Sequence, residues 1–152
     1  MDLLIVQPYL EKLKVEDRKN VEEILTTLVN AVEGSRLCRA YGHAGVAIDG
    51  SLFCYVSSDN GRIMISFLDT NMFCMFADEL SELEGCTVRK CSITFHRWRY
   101  VDKELVGRIA AATAQAVRLD AGFYKRYRRR EYTYDYYSAS HFFREDNRYT
   151  DE

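Results

Sequence analysis

The sequence lacks the features that mark a membrane or secreted protein. Its apolar runs are only a few residues long, far below the roughly 20 residues that cross a bilayer. The N-terminal segment MDLLIVQPYLEKLK has neither a basic start nor a small-residue cleavage site. The five cysteines are odd in number, form no CxxC pair and fit reduced thiols. We therefore expect a cytoplasmic protein with no membrane partner.

Motifs of the common enzyme classes are also absent. There is no GxSxG elbow, no glycine-rich phosphate loop and no HExxH. A five-residue spacing relates Cys86, Cys91 and His96, but Cys86 and His96 would lie roughly 33 Å apart along one extended strand. We expect no metal, no cofactor and no catalytic residue. A cysteine- or metal-dependent enzyme is therefore the least favoured function.

Hydrophobic spacing predicts three amphipathic helices. Apolar residues recur at helical intervals in residues 16–33, 69–83 and 102–119. In the last helix the expected inward positions are Leu105, Ile109, Ala112, Ala116 and Leu119. Residues 3–13 fit either a short helix or an extended arm, because Pro8 is tolerated only in a first helical turn.

Between residues 36 and 68 the apolar pattern changes from that of a helix to that of a strand. Asp49-Gly50 lies between β-rich segments and favours a tight hairpin, because both positions accept positive φ. Asn60-Gly61 marks a second turn of the same kind. These signals predict a three-strand antiparallel meander.

Residues 88–101 fit a long later strand with a bend. Alternation would place Arg97 and Arg99 on one face, with Trp98 and Tyr100 on the other. Trp98 is then either a core anchor or, with Tyr100, part of an exposed contact surface. Such a surface would suit a protein or single-stranded nucleic acid.

Together these elements predict an α+β fold, with three helices packed on an antiparallel sheet of four to five strands. The domain is expected to span residues 1–120, with residues 1–15 as an arm or short helix. An aromatic and basic C-terminal extension, residues 121–152, follows the domain.

The C-terminal extension differs sharply in composition from the rest of the chain. It holds half of the aromatic residues and contains no Val, Ile, Leu or Met. Its expected partner-binding residues are Phe123, Tyr124, Tyr127, Tyr132, Tyr134, Tyr136, Tyr137, Phe142 and Phe143. Its basic patch consists of Lys125, Arg126, Arg128, Arg129 and Arg130.

Three roles for this extension remain open. It packs on its own domain or on a second copy, it binds a protein partner, or it binds nucleic acid through phosphate contacts and base stacking. The formal net charge of the chain is only −2, so a nucleic-acid site has to be local. The leading hypothesis is a non-catalytic adaptor or regulator, in the form of a homodimer, that binds a protein partner. The alternative is a nucleic-acid-binding regulator.

The order of elements, with AYGHAGVAIDGSLFCYV and GRIMISF, resembles the TfoX N-terminal-domain family. The matching positions are Gly42, Gly45, Asp49, Gly50, Phe53, Gly61 and Arg62. The family's usual Phe-Gly-Gly start is replaced here by Tyr41-Gly42-His43. The resemblance covers about residues 16–118 and leaves the extension outside it.

The same order, with MFADELSEL and VDKELVGRIAAATAQAV, also resembles the type III secretion chaperone and YbjN-like group. That group consists of small, acidic, dimeric α+β proteins that bind an extended segment of a partner. Neither resemblance implies catalytic residues. Both imply regulation or partner binding.

Overall fold

Five α-helices and seven strands form in a computed structural model, which describes residues 1–119 and 135–136. The helices are α1 (Gln7–Leu10), α2 (Val15–Ala31), α3 (Thr70–Cys74), α4 (Ala77–Ser81) and α5 (Lys103–Leu119). The strands are β1 (Arg36–Ala40), β2 (His43–Ile48), β3 (Ser51–Asp59), β4 (Arg62–Phe67), β5 (Cys86–Val88), β6 (Ser92–Phe95) and β7 (Asp135–Tyr136). Short 3₁₀ helices cover Leu3–Val6 and Trp98–Tyr100.

The strands form one sheet in the order β5-β6-β4-β3-β2-β1-β7. Strands β1 to β4 are an antiparallel meander, and β6 and β5 extend it with two further antiparallel pairings. Strand β7 differs, since it pairs in parallel with β1 at Arg39 and Ala40. The predicted α+β class with an antiparallel sheet is confirmed, but the predicted numbers of strands and helices are too low.

The meander has one strand more than the sequence pattern predicts. Both expected turns are confirmed, because Asp49-Gly50 and Asn60-Gly61 have positive φ at both positions. A third turn of the same kind, Tyr41-Gly42, joins β1 to β2 with φ values of 55° and 78°. Tyrosine rarely adopts positive φ, so this turn and the strand before it carry no strong sequence signal.

The predicted long strand over residues 88–101 is wrong. The chain reverses between β5 and β6, and the His96 N–H donates to the Gly85 carbonyl at 2.8 Å. After His96 it turns into the 3₁₀ helix, so strand alternation does not govern Trp98 or Tyr100. The reversal falls in Arg89-Lys90-Cys91, which contains none of the Gly, Asn or Asp residues that mark most tight turns.

The first and last predicted helices are confirmed as α2 and α5. Asp102 caps α5, since its carboxylate accepts a hydrogen bond from the Leu105 N–H at 3.0 Å. Pro8 lies in the first turn of α1, where it is tolerated, and residues 3–10 form short helices and not an extended arm.

The predicted helix over residues 69–83 is divided into α3 and α4. Asp69 caps α3 by accepting a hydrogen bond from the Met72 N–H at 2.7 Å. The Met75 N–H still donates to the Asn71 carbonyl at 3.2 Å, but the Phe76 N–H donates to the Phe73 carbonyl at 3.0 Å. Helical hydrogen bonding is therefore interrupted at Phe76, and α4 then starts with no side-chain cap. Both short helices still pack inward, with Phe73 and Leu80 in the core.

The inward face of α5 is only partly as expected. Leu105 and Ile109 are buried, but Ala112 and Ala116 are half-buried and Leu119 is exposed. The buried positions are Leu105, Val106, Ile109, Ala110, Thr113, Ala114 and Val117. The prediction failed in the second half of the helix because alanines occur on both sides of it, and their small side chains do not distinguish one face from the next.

The main core lies between the helices and one face of the sheet. It includes buried residues from α1, α2, α5 and the alternating positions of β2, β3, β4 and β6. Exposed ion pairs join helices around it, Lys103 with Glu23 at 2.5 Å and Arg108 with Glu79 at 2.5 Å. Side chains on the opposite face of the sheet lie outside this main core.

Candidate functional site

The sheet face opposite the helices carries a second apolar cluster. Its buried members come from β1, β2 and β3 only, and are Cys38, Ala40, Ala47, Leu52 and Tyr55. Tyr41, Met64 and Leu68 pack around them, and we call all of these residues the second face. The helices that the structure describes contribute to the main core instead. Even so, Ala40 and Tyr55 are only 0% and 1% exposed.

Packing within the second face is tightest at Gly45. In register, Gly45 lies between Cys38 on β1 and Tyr55 on β3. A Cβ atom on Gly45 would lie 2.9 Å from Leu52 Cδ1 and 3.0 Å from Ala40 Cβ. Glycine is therefore the residue that allows these side chains to meet, and the second face is a packed layer.

A β-bulge determines which side chains of β3 reach the second face. Ala47 pairs with Leu52 and Val46 pairs with Cys54, which leaves Phe53 as the additional residue. Leu52 therefore belongs to the second face while Phe53 belongs to the main core. The bulge thus places Leu52 and Tyr55, three residues apart in sequence, on the same face of the sheet.

Aromatic rings extend the second face toward α1. The ring centroids of Tyr41 and Tyr55 are 4.7 Å apart, and His43 stacks on Tyr55 at 6.2 Å. Tyr9 meets the His43 ring edge-on at 5.2 Å. Burial lowers the pKa of His43, and the positive charge of Lys12 lowers it further. His43 is therefore neutral at pH 7 and acts as a packing ring.

A basic hollow lies at one end of β4 and β6. It has a volume of about 530 Å³ and is lined by Arg62, Gly85, His96, Arg97, Arg99 and Tyr100. We call it the arginine hollow. Its three arginines are exposed, and none of them forms an ion pair with a carboxylate in the described part of the chain. The hollow therefore presents unneutralised positive charge.

Tyr100 is held in place within the arginine hollow. The guanidinium of Arg99 lies over its ring, 4.8 Å from the centroid, and Arg99 Nη2 donates to Tyr100 Oη at 2.9 Å. Gly85, with a φ of 64°, allows the ring to approach the backbone closely. On the same side of the hairpin, His96 Nε2 lies 2.9 Å from Thr87 Oγ1.

Trp98 lies between Arg97 and Arg99 in sequence but packs toward the main core. Both Trp98 and Tyr100 are half-buried against that core, whereas the two arginines are exposed. This position agrees with the core-anchor interpretation of Trp98. A role for Trp98 and Tyr100 in binding a partner stays a prediction.

Most of the expected contact residues lie outside the described residues. These are the aromatic residues Phe123, Tyr124, Tyr127, Tyr132, Tyr134, Tyr137, Phe142 and Phe143, and the basic patch Lys125, Arg126, Arg128, Arg129 and Arg130. Tyr136 is described through the backbone of β7, which pairs with β1 beside the second face. That pairing links the extension to this edge of the sheet.

The cysteines give no arrangement suited to nucleophilic chemistry. All five are free thiols, with Cys38, Cys54 and Cys91 buried. Burial raises the pKa of Cys54 well above its usual range and also raises the pKa of Cys86, which disfavours the reactive thiolate in both.

The hairpin of β5 and β6 changes the expected geometry of the Cys86 and His96 pair. Cys86 pairs with Phe95, so His96 is its near neighbour across the hairpin and not at the far end of a strand. Within residues 1–119 and 135–136, no group of three or more His, Cys, Asp or Glu side chains is placed to hold a metal ion. The expectation of no metal thus rested on a wrong distance between Cys86 and His96, which assumed that both lie on one extended strand.

The sequence carries a signal for one of these two surfaces and not for the other. Leu52 to Val56 is a continuous apolar run, which is typical of a strand buried on both faces, so the second face has a signal in the sequence. The arginine hollow has none, since Arg62 and Gly85 meet residues 96–100 only through the pairing of β4 with β6 and the β5–β6 hairpin.

Comparison with solved structures finds a likeness of fold. A protein of the DUF1801 family from Bacillus subtilis, known from its crystal structure, matches with a TM-score of 0.63 and 15% sequence identity. The match covers 80% of this chain and 94% of the other. No model of a known protein family matches the sequence, and no curated protein matches it. The likeness therefore concerns the fold alone.

This comparison corrects the two resemblances drawn from sequence. The fold matches a DUF1801 protein, so the assignment to the TfoX N-terminal-domain family or to the type III secretion chaperone and YbjN-like group is wrong. The motifs that suggested the first family centre on Asp49-Gly50 and on Gly61-Arg62, which are a two-residue hairpin turn and the end of a second one with the first residue of β4. Such turns recur in unrelated antiparallel sheets. In the residues that the structure describes, no helix is long and apolar enough to span a membrane.

Proposed function

We propose that the chain is a non-catalytic binding protein, an adaptor or regulator, that acts through a protein partner. Its C-terminal extension, residues 121–152, is the main contact element. The observation that carries this proposal is the second face, an apolar layer to which the described helices contribute nothing. Cytoplasmic location and a homodimeric form belong to the same proposal.

The composition of the second face and that of the C-terminal extension both support this proposal. The second face offers apolar and aromatic side chains such as Tyr41, Leu52 and Tyr55. The extension offers ten aromatic residues and no aliphatic residue larger than alanine. A buried aromatic side chain removes roughly 150–250 Å² from water, so a few of them suffice to cover such a face. Strand β7, at Asp135–Tyr136, connects the extension to β1 at the edge of this face.

The extension therefore has two alternative places to bury its rings. It covers the second face of its own chain, or it exchanges that contact for one with a partner. Exchange is favourable only when the partner buries at least as much apolar surface as the chain's own sheet. This competition gives an adaptor a means of exposing its second face only when the partner is present.

The test uses full-length protein, since the extension is part of the proposed contact. Tyr136, Tyr137, Phe142 and Phe143 are changed together to alanine, and the matched control changes four basic residues, Lys125, Arg126, Arg128 and Arg129, to glutamine. Partners captured from native extract with the unaltered chain are purified, and their affinity for each variant is measured. We expect the aromatic variant to lose binding and the basic variant to retain it.

Two further measurements make the outcome decisive. Light scattering after size exclusion gives the mass of the particle and shows whether the partner is a second copy of the chain. Circular dichroism shows whether each variant keeps its helices and sheet. Unchanged partner affinity in a folded aromatic variant would contradict the proposal.

A further inference from the structure

The arginine hollow has N–H donors on Arg97 and Arg99 that are not used in hydrogen bonds to the described residues. Arg97 Nη1 donates to the His96 carbonyl at 2.7 Å, and Arg99 Nη2 donates to Tyr100 Oη at 2.9 Å. Each guanidinium has five N–H donors, so most donors on Arg97 and Arg99 stay available. Arg62 adds a third guanidinium from the start of β4.

Carboxylates near the hollow in sequence do not line it. Asp59 is the register partner of Arg62 across the β3–β4 turn, and Glu84 precedes Gly85. Neither is among the residues that line the hollow, whose charged groups are all basic. An anion that enters it therefore meets positive charge from two strand ends and from the 3₁₀ helix.

The chemistry of the hollow selects a phosphate group. Guanidinium groups bind phosphate oxygens through paired N–H donors, and three of them suit a group with three terminal oxygens. The Tyr100 ring already lies under the Arg99 guanidinium, and Trp98 packs toward the core. Recognition by stacking on a nucleic-acid base is therefore disfavoured there, and contact through the phosphate is favoured.

We propose that the arginine hollow binds the phosphate group of a small molecule, either free phosphate or a phosphate monoester. This site shares no residue with the second face, and none of its lining residues belongs to the extension. It would make the binding protein responsive to a phosphorylated metabolite.

Trp98 provides a local readout, because it is the sole tryptophan of the chain and lies between Arg97 and Arg99. Full-length protein is titrated with inorganic phosphate and, separately, with glycerol phosphate while Trp98 emission is recorded. Potassium chloride at equal ionic strength and glycerol serve as blanks, since general screening also changes with salt. We expect saturable changes with both phosphates and none with either blank.

The two phosphate titrations distinguish the source of the group. Equal affinities mean that phosphate alone is recognised, and tighter binding of glycerol phosphate means that the ester part also makes contact. Changing Arg97 and Arg99 together to glutamine should weaken either ligand by about tenfold or more, as expected for loss of two charged hydrogen-bonding groups. The control, Lys19→Gln with Arg36→Gln, removes the same charge from exposed sites elsewhere and should bind as the unaltered chain does.

A second variant keeps the proposal testable if the first does not fold. Arg62→Gln alters a different strand and should also weaken phosphate binding, while circular dichroism confirms the fold. Three results would overturn the proposal: no Trp98 response to either phosphate, an equal loss in the arginine and control variants, or a response to an oligonucleotide alone.

Discussion

A Cβ atom on Gly85 would overlap the Tyr100 ring, because the ring packs directly against the Gly85 backbone. Gly85 also has a φ of 64°, a conformation that side chains disfavour. Gly85 is therefore the residue at which the β5–β6 hairpin packs directly against the 3₁₀ helix. This packing also fixes the position of Tyr100 at the arginine hollow.

Replacing Gly85 with alanine should therefore destabilise the protein by about 1–3 kcal/mol, as overpacking and backbone strain both act. Gly42→Ala is the matched control, because Gly42 has a φ of 78° but no atom within 4 Å of the added Cβ. The difference between the two free energies of unfolding, measured in urea, isolates the clash with Tyr100. Equal losses in the two variants would show that the contact contributes nothing.

Gly45→Ala tests whether the second face is a packed layer. The added Cβ meets Leu52 and Ala40 at 2.9 and 3.0 Å, so we expect a loss of about 1–3 kcal/mol. Gly107→Ala in α5 is the control, since its closest contact is Ala31 Cβ at 3.6 Å. That change should stabilise the helix by up to about 1 kcal/mol. A Gly45→Ala variant as stable as the unaltered chain would mean that the second face is loosely packed.

Tyr9→Phe tests the link between α1 and β3. The Ser58 N–H donates to Tyr9 Oη at 2.8 Å across a part-buried site, and the variant leaves that donor unpaired. We expect a loss of about 1 kcal/mol in the free energy of unfolding. Tyr100→Phe removes an exposed hydroxyl that accepts from Arg99 and should cost less. Chemical denaturation of both variants makes the comparison.

The stability of the protein should depend on pH through His43. Burial lowers the pKa of His43 in the folded state, so the unfolded chain binds its proton more readily. The stabilising contribution is complete above the ordinary value of 6.5 and is lost as pH falls from there through the folded pKa. His43→Phe keeps a ring against Tyr9 and Tyr55 but cannot titrate. Its melting temperature should fall less than that of the unaltered chain between pH 7.5 and pH 5.5, and equal falls would exclude His43 as the source.

The sequence predicts those parts of the fold that depend on neighbouring residues. The α2 helix, the N-cap at Asp102 and the turn at Asp49-Gly50 are all local, and all appear where expected. Alternation along β4 is equally local and places Ile63 and Ile65 in the main core.

The parts that failed depend on distant contacts. The pairing of β6 with β4 and with β5 fixes the reversal between β5 and β6. No residue in Arg89-Lys90-Cys91 is a strong turn former, so the sequence does not predict this reversal. The arginine hollow depends on both pairings, because the β5–β6 hairpin brings Gly85 beside Tyr100 and the pairing of β4 with β6 brings Arg62 beside His96. Ala112 and Ala116 were expected to face inward, but whether an alanine does so depends on the sheet against which the helix packs.

The meander also has a consequence for the order in which the protein folds during synthesis. Strands β1 to β4 are joined by two-residue turns, so their pairings form between residues close in the chain and should form quickly. The helix α2 precedes them and is already available to cover part of the sheet. The helix α5 also packs on β3, but it leaves the ribosome only after strands β1 to β6 have been synthesised. The nascent chain therefore passes through a stage in which the antiparallel strands β1 to β6 expose the apolar surface that α5 later covers, and such exposed surface favours aggregation or chaperone binding.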